Sequence, residues 1–252
     1  MSKIKYGLLI GINYKQTSFP LSGCWNDVEE VNLFLKSHNY INIILTDNLD
    51  STSDLYPTFS NIKKQYDFIL SKSPDQVFFY FSGHGGQVFD FDKDEKDKKD
   101  ECIWVYKTSN TVVPITDDQM NNYFINKLNN TTILSCVFDS CHSESILDIQ
   151  YRYKFIKNKP TYELITKKVS NKNVICISGC QDNDYSGETF INGKVRGILT
   201  FSLLNVLSKN NIGTPVEIIY RNAVNNMKLS RLSSQQPQLC VTKQVLRSFH
   251  II

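Results

Sequence analysis

Apolar residues along this chain form short runs that alternate with segments of helical periodicity. The runs at residues 76–82 and 132–138 are rich in β-branched and aromatic side chains, which is typical of strands buried on both faces. Residues 27–37 and 60–72 instead carry apolar side chains at helical spacing. Further strands are predicted at residues 6–13, 41–45, 102–106, 173–178 and 238–242. Further helices are predicted at residues 117–128, 197–208 and 214–229.

This alternation of strands and helices predicts an α/β fold, a doubly wound and mainly parallel sheet with helices on both faces. The densely charged residues 90–101 lack apolar periodicity, so we expect a solvated loop there. Residues 151–173 are polar and rich in lysine, which predicts a mobile linker. The last strand follows Pro237 and is therefore expected at an edge of the sheet.

Composition narrows the class of protein. The 252 residues, 41% of them hydrophobic, suit one soluble globular domain. The net charge of +3 and the absence of a long Lys/Arg block argue against a nucleic-acid partner. No apolar run approaches the roughly 18 residues of a membrane span, and the N-terminus lacks a signal-peptide pattern. The seven cysteines lie mostly in apolar runs, which favours buried thiols in a reducing, cytoplasmic compartment.

Reactive side chains follow two of the apolar strands. His84 comes just after the strand at residues 76–82, and Cys141 follows the strand at residues 132–138. If these strands are parallel neighbours, both ends open on one edge of the sheet, where α/β proteins place their ligands. Cys141 would then be a thiolate nucleophile with His84 as its base. The N–H groups of Gly85 and Cys141 would form an oxyanion hole.

His142 is the alternative base, because it is adjacent to Cys141. Neighbouring side chains on an extended segment point to opposite sides, so we reject His142 in favour of His84. A single cysteine at a strand end is usually a small buried apolar residue. The ordered occurrence of His84 and Cys141 at two strand ends is much harder to explain by packing alone.

Several ordered motifs give the chain a resemblance that covers nearly its whole length. They are Leu8-Leu-Ile-Gly-Ile-Asn-Tyr14, Leu21-Ser-Gly-Cys-Trp-Asn-Asp27, Phe79-Tyr-Phe-Ser-Gly-His-Gly-Gly86, Asp100-Glu101, Ile115-Thr-Asp-Asp118, Asp139-Ser-Cys-His-Ser143, Ser178-Gly-Cys-Gln-Asp-Asn-Asp-Tyr-Ser186 and Gly197-Ile-Leu-Thr-Phe201. With these motifs the chain resembles a metacaspase of the caspase-like cysteine peptidase clan, in a minimal form without a prodomain. The resemblance implies one caspase-like catalytic domain. Residues 1–150 would be its large-subunit-like region and residues 174–252 its small-subunit-like region.

The resemblance also implies cleavage of protein substrates after Arg or Lys. Its specificity pocket would be lined by Cys24, Asp27, Ser82 and Asp139. A pair of buried carboxylates suits this task because it binds a cationic side chain through charge-assisted hydrogen bonds. The alternative for Asp27 is a helix N-cap.

Many metacaspases need calcium, and the resemblance implies the ligands Asp100, Asp117, Asp118 and Asp148. Carboxylates from separate loops suit calcium, which takes several oxygen ligands. Alternatively, Asp117 and Asp118 only cap a helix and Asp100 belongs to the charged loop. A zinc site is disfavoured, because Cys176 and Cys180 lack a partner Cys/His pair.

Other implications concern processing, assembly and departures from the family. Self-cleavage is expected within the linker, whose lysines are Lys154, Lys157, Lys159, Lys167, Lys168 and Lys172, although these residues are equally typical of a solvated loop. A monomer is expected. Glu144 replaces the usual glycine after the Cys-His-Ser motif and adds bulk and charge beside the nucleophile. The alternative functions are a caspase-like pseudoenzyme that acts as a scaffold, or a different cysteine hydrolase.

Overall fold

The structure, a computed structural model, describes residues 3–89, 98–141, 143, 145–156, 159–180, 187–211, 213–229, 235–243 and 250–252. Its strands are β1 (Lys5–Gly11), β2 (Ile41–Thr46), β3 (Gln76–Ser82), β4 (Gly85–Phe89), β5 (Lys99–Thr108), β6 (Thr111–Thr116), β7 (Ile133–Asp139), β8 (Tyr151–Ile156), β9 (Lys159–Leu164), β10 (Asn173–Ser178), β11 (Glu188–Ile191), β12 (Lys194–Gly197) and β13 (Gln238–Val241). Its α-helices are α1 (Cys24–Ser37), α2 (Phe59–Ser71), α3 (Asp117–Met120), α4 (Ile198–Leu207) and α5 (Val216–Leu229). Among the described residues, no helix combines the length and the apolar character needed to cross a membrane.

An eight-stranded sheet in the order β2-β1-β3-β7-β10-β13-β8-β9 forms the centre of the protein. Strands β2, β1, β3, β7 and β10 are parallel, whereas β13, β8 and β9 pair antiparallel. Two small antiparallel sheets, β4-β5-β6 and β11-β12, complete the strands. The prediction of a mainly parallel α/β sheet is confirmed.

Strand β3 shows why the central strands read as continuous apolar runs. Every residue of β3 is buried. Phe79 and Phe81 pack in the cluster that includes α2, while Phe78 and Tyr80 pack in the opposite cluster with α1, α4 and α5. Because successive side chains point to opposite faces, a strand covered on both sides must be apolar at every position. The sheet therefore carries helices on both faces, as predicted.

The lysine-rich region is more ordered than the predicted linker. Strands β8 and β9 form an antiparallel hairpin, and β8 pairs with β13. Tyr153 of β8 is buried against Tyr162 and Tyr220, at ring-centroid distances of 6.0 and 5.8 Å. Aromatic residues that alternate with the basic residues Arg152 and Lys154 thus attach this hairpin to the domain. The prediction that β13 is an edge strand is wrong, because the hairpin covers it and β9 becomes the edge.

The predicted charged loop is also shorter than expected. Residues 90–97 lie outside the described part of the chain, but β5 already begins at Lys99. Asp100 and Glu101 pair with β4 and are buried, and Glu101 accepts hydrogen bonds from Gln87 and Ser145. These two acidic residues are therefore not part of a solvated loop. Their partners on β4 and in a later segment cannot be read from local sequence.

Candidate active site

Strands β3 and β7 bring the two candidate catalytic segments to one edge of the sheet. They are parallel neighbours, and their register places Ser82 opposite Asp139. His84 and Cys141 each follow that aligned pair by two residues. A side chain on Gly85 would collide with the carbonyl oxygen of Cys141. The two segments are therefore in direct backbone contact, which the absence of a side chain at Gly85 permits.

The imidazole of His84 is oriented by its surroundings. Its Nε2 lies 2.7 Å from the carbonyl oxygen of Phe19. A carbonyl oxygen only accepts hydrogen bonds, so Nε2 carries the proton and Nδ1 is left to accept one. No sequence pattern pointed to Phe19, because its contribution is a backbone group that every residue possesses. The backbone N–H of His84 donates to the Tyr14 hydroxyl at 2.9 Å.

Some sequence predictions lie outside the described residues. They concern the alternative base His142, the departure at Glu144, Lys157, and residues 181–186 of the motif that begins at Ser178. Their roles stay predictions.

A buried carboxylate pocket adjoins the ends of β3 and β7. Helix α1 begins at Cys24, after Gly23 as its N-cap, so the alternative role of Asp27 as the cap is wrong. Asp27 is only 1% exposed, and its Oδ2 accepts a hydrogen bond from the Ser82 hydroxyl at 2.9 Å. Its two oxygens accept from the N–H of Gly197 at 2.9 and 3.1 Å. Among the described residues, the two hydrogen-bond partners of Asp27 are thus neutral donors.

Asp139 forms the opposite wall of this pocket. Its Oδ2 accepts hydrogen bonds from the backbone N–H and the hydroxyl of Thr200, at 2.9 and 2.7 Å. A side chain on Gly197 would meet the carboxylates of both Asp139 and Asp27. Because Gly197, the N-cap of α4, has no side chain, Asp27 of α1 and Asp139 of β7 can approach each other.

The charge of Asp27 is poorly compensated by its hydrogen-bond donors. Burial raises the pKa of Asp27 well above its ordinary value, and the nearby carboxylates of Asp139 and then Glu188 raise it further. Hydrogen bonds from Gly197 and Ser82 oppose this shift without cancelling it. A cationic group that entered the pocket would favour the ionised form of Asp27.

Glu188 is a member of this pocket that the sequence analysis missed. Its Oε1 accepts from the N–H of Gly23 at 2.6 Å and lies 3.8 Å from Sγ of Cys24. The available signal in the sequence was its place in Tyr185-Ser-Gly-Glu188, which stands where the family more usually has Thr-Ser-Ala-Asp. Burial, followed by Asp27, raises the pKa of the Cys24 thiol. We call the set of Cys24, Asp27, Ser82, Asp139 and Glu188 the Asp27 pocket.

A second acidic group contains the four predicted metal ligands. Asp100, Asp117 and Asp118 each offer an oxygen within 4.8 Å of the others. Burial, then the charge of Asp148, raises the pKa of Asp117 to about 9. We call Asp100, Asp117, Asp118 and Asp148 the Asp117 cluster. Its carboxylates are hard oxygen donors from separate segments, a donor set that suits calcium.

Lys168 supplies a positive charge within the Asp117 cluster. Its ammonium group lies 2.5 Å from Oδ1 of Asp118 and 2.8 Å from Oδ2 of Asp148. Asp118 is also placed by its own N–H, which donates to Asp117. One lysine therefore bridges two of the four acids. The alternative that Asp117 and Asp118 cap this helix is wrong, because Thr116 is the N-cap of α3 and the two acids lie in its first turn.

A family profile resolves which proteins the chain resembles. The family described as metacaspase, peptidase C14 domain, matches residues 5–150, which is more than half of the chain and includes both His84 and Cys141. This chain belongs to the metacaspase family. The resemblance drawn from the motifs is confirmed.

Curated metacaspases match along most of the chain. Metacaspase-1 of Coccidioides immitis (strain RS) is 32% identical, over 92% of this chain and 60% of that protein. Metacaspase-1A of Aspergillus terreus is 30% identical, over 92% of this chain and 69% of that protein. Metacaspase-1 of Plasmodium falciparum is 34% identical, over 88% of this chain and 37% of that protein. The chain thus spans only part of the length of these relatives.

Solved structures support the fold. A protein from Geobacter sulfurreducens, GSU0716, matches with a TM-score of 0.68 and 19% identity, over 98% of this chain and 97% of that one. Caspase-1 from Spodoptera frugiperda matches with a TM-score of 0.55 and 10% identity, over 95% and 85% of the two chains. The predicted caspase-like α/β fold is confirmed.

Proposed function

We propose that this metacaspase domain is a cysteine endopeptidase that cleaves after Arg or Lys. The observation that carries the proposal is the juxtaposition of three groups at one sheet edge. His84 and Cys141 follow the paired ends of β3 and β7, and the carboxylate of Asp27 is bonded to Ser82 at the same edge. A nucleophile and a cation-binding pocket are thereby neighbours.

In the proposed reaction, Nδ1 of His84 accepts the thiol proton while Sγ of Cys141 bonds to the carbonyl carbon of the substrate. The N–H groups of Gly85 and Cys141 donate to the oxygen that becomes negative. His84 then returns the proton to the leaving amine as the C–N bond breaks. Water, deprotonated by His84, attacks the thioester and releases the acid and the thiol.

The preference for Arg or Lys rests on the charge of the Asp27 pocket. Asp27 and Asp139 are both buried, and hydroxyl and N–H donors do not neutralise Asp27. An arginine or lysine side chain would supply the missing positive charge through charge-assisted hydrogen bonds. An aspartate side chain would add a further negative charge, so the pocket disfavours it.

Fluorogenic peptides that differ only at the cleaved residue test this function. We expect cleavage after Arg and Lys and none after Asp. Cys141→Ala should abolish turnover, while Cys240→Ala, which removes a buried thiol on β13, should retain it. Cleavage only after Asp would refute the specificity. Failure of a basic-peptide warhead to alkylate Cys141 in the folded protein would instead favour a pseudoenzyme that acts as a binding module.

We also propose that the Asp117 cluster binds calcium. Its four carboxylates would be the ligands, and the double charge of calcium would exceed that of the Lys168 ammonium group that now bridges two of them. Calorimetric titration of calcium into the Cys141→Ala chain measures binding without self-cleavage. An absence of binding heat, or activity unchanged by a chelator, would refute the proposal.

Self-cleavage is proposed after Lys167. Lys154 and Lys159 lie within the strands of a hairpin, which a protease must unpair before it can cut. Lys167 is exposed and lies between β9 and β10, outside any strand. Intact-mass spectrometry after incubation tests this site. Lys167→Ala should prevent the cut, and Lys154→Ala should not.

The domain is further proposed to be a monomer. In the central sheet, β13 is covered by β8, so it cannot pair with a second copy. The new edge strand β9 contains Lys159 and Pro160, residue types that discourage pairing between edges. Sedimentation that yields a dimer mass would refute this.

A further inference from the structure

Tyr14 has an unusual backbone conformation next to the candidate active site. Its φ angle is +49°, in the left-handed region that bulky residues rarely adopt. Tyr14 is also fully buried. Such a conformation persists only where surrounding contacts hold it, and it occurs frequently at functional sites.

Asp47 holds the turn at Tyr14. This residue follows β2, the neighbour of β1 in the sheet. Its Oδ1 accepts from the N–H of Asn13 at 2.9 Å, and its Oδ2 accepts from the N–H of Tyr14 at 2.7 Å. Trp25 Nε1 donates to the same carboxylate at 2.7 Å. The end of β2 therefore fixes the chain where it leaves β1.

The side chain of Tyr14 in turn contacts His84 in two ways. Its hydroxyl accepts the backbone N–H of His84 at 2.9 Å and donates to the carbonyl of Trp104 at 2.6 Å. Its ring lies against the imidazole, with a centroid distance of 4.7 Å. Burial raises the pKa of Tyr14 well above its ordinary value, so the phenol stays protonated and able to donate.

Tyr14 also begins the loop that orients the other end of the imidazole. Its carbonyl accepts hydrogen bonds from the N–H and the hydroxyl of Thr17, each at 2.9 Å. The Thr17 hydroxyl accepts from the N–H of Phe19 at 3.2 Å. The carbonyl of Phe19 is the group that accepts from Nε2 of His84. One residue is thus linked to the backbone, the ring face and the ring nitrogen of His84.

We propose that Tyr14 is a positioning residue that holds His84 in its productive orientation, and that Asp47 holds Tyr14 in turn. The inference rests on the proposed function, in which His84 is the base for Cys141. Tyr14 has no role in binding the substrate in this scheme. Its loss should therefore reduce the rate of the chemical step rather than substrate affinity.

The test compares Tyr14→Phe with Tyr66→Phe in the full chain. Tyr66 is a matched control, since it is buried and its hydroxyl donates to the Phe124 carbonyl at 2.6 Å, on the α2 side of the sheet rather than beside His84. For an arginine peptide, Tyr14→Phe should lower kcat by about 10- to 100-fold, as small misplacements of catalytic groups do, with KM changed less than about twofold. Tyr66→Phe should leave both constants within about twofold of wild type. Asp47→Asn should also lower kcat, as Tyr14→Phe does.

The rate of Cys141 alkylation by iodoacetamide across pH gives a second readout. Tyr14→Phe should require a higher pH for the same rate, because a displaced imidazole supports the thiolate less well, and Tyr66→Phe should not. An equal fall in kcat for both tyrosine variants, a loss carried by KM, or an unchanged alkylation profile would overturn the proposal. If the wild type cleaves no peptide, the proposed function fails, while the alkylation comparison still decides the role of Tyr14.

Discussion

The Asp27 pocket and the Asp117 cluster are both groups of buried carboxylates, but different partners hold them. Asp27 accepts hydrogen bonds from a hydroxyl and a backbone N–H, which carry no net charge. In the Asp117 cluster, the ammonium of Lys168 bridges Asp118 and Asp148. Among the described residues, a lysine thus lies within the Asp117 cluster, whereas the hydrogen-bond donors to Asp27 are neutral.

This difference fits the two proposed uses of negative charge, namely binding of a basic substrate side chain and binding of calcium. Neutral donors orient a carboxylate but leave its charge, so burial keeps the pKa of Asp27 raised until a cation arrives. A pocket of this kind suits a ligand that carries its own charge and leaves after each turnover. The Asp117 cluster contains the ammonium group of Lys168, which a metal ion would displace if it binds there as proposed.

Removing charge from the Asp27 pocket should produce the largest effect. We expect Asp27→Asn to lower kcat/KM for an arginine peptide by at least roughly 30-fold, because losing one partner of a buried charge pair costs about 2 kcal/mol or more. Glu29→Gln is the control, since this acid lies on the same helix and is exposed. Steady-state kinetics on Arg and neutral peptides measures the effect. An equal loss of kcat/KM for the Arg and the neutral peptide would contradict a role of Asp27 in binding the substrate's positive charge.

In the Asp117 cluster, the corresponding Asp-to-Asn substitution should lower the affinity for calcium rather than the specificity for Arg peptides. We expect Asp117→Asn to weaken calcium binding by about tenfold, because fewer charged ligands lower the affinity of a calcium site. Calorimetry on the Cys141→Ala background measures it, with Asp67→Asn, an exposed acid paired with Lys127, as the control. Unchanged calcium affinity would contradict the assignment.

The change of the free energy of unfolding with pH should reveal the raised pKa of Asp117 in the Asp117 cluster. The pKa of Asp117 is about 9 when folded and about 4 when unfolded, so the folded state retains a proton that the unfolded state releases between these values. Without calcium, the free energy of unfolding should therefore fall as pH rises from 5 to 8, by at least about 1.4 kcal/mol. Urea unfolding measures it. Asp117→Asn should flatten this slope, and a slope that is the same in both proteins would contradict the expectation.

The smallest effect should come from Lys168. Its ion pair with Asp118 is partly exposed, and such pairs contribute up to about 1 kcal/mol. Lys168→Met should therefore strengthen calcium binding by about three- to fivefold, because calcium no longer competes with the ammonium group. Lys172→Met is the control, since its Nζ bonds to the Leu128 carbonyl and Asn130 rather than to acids. A weaker calcium affinity in Lys168→Met would show that the lysine supports the site.

The hairpin of β8 and β9 shows where sequence reasoning reached its limit. A polar, lysine-rich composition favoured a mobile linker, yet Tyr153 packs on Tyr220 of α5, which lies far along the chain. The strands of the central sheet were predicted more successfully, because burial on both faces leaves a continuous apolar run that can be recognised locally.

The sequence by itself determined the α/β fold, the family, and the candidate residues that lie within its motifs. It did so because side-chain periodicity and motif spacing are local properties of the chain. Only the tertiary structure decided that Glu188 lies beside Cys24, that the Phe19 carbonyl orients His84, and that Lys168 bridges two acids. These contacts join residues up to 164 positions apart, and one of them uses a backbone group. Their chemistry arises from packing, which no single segment encodes.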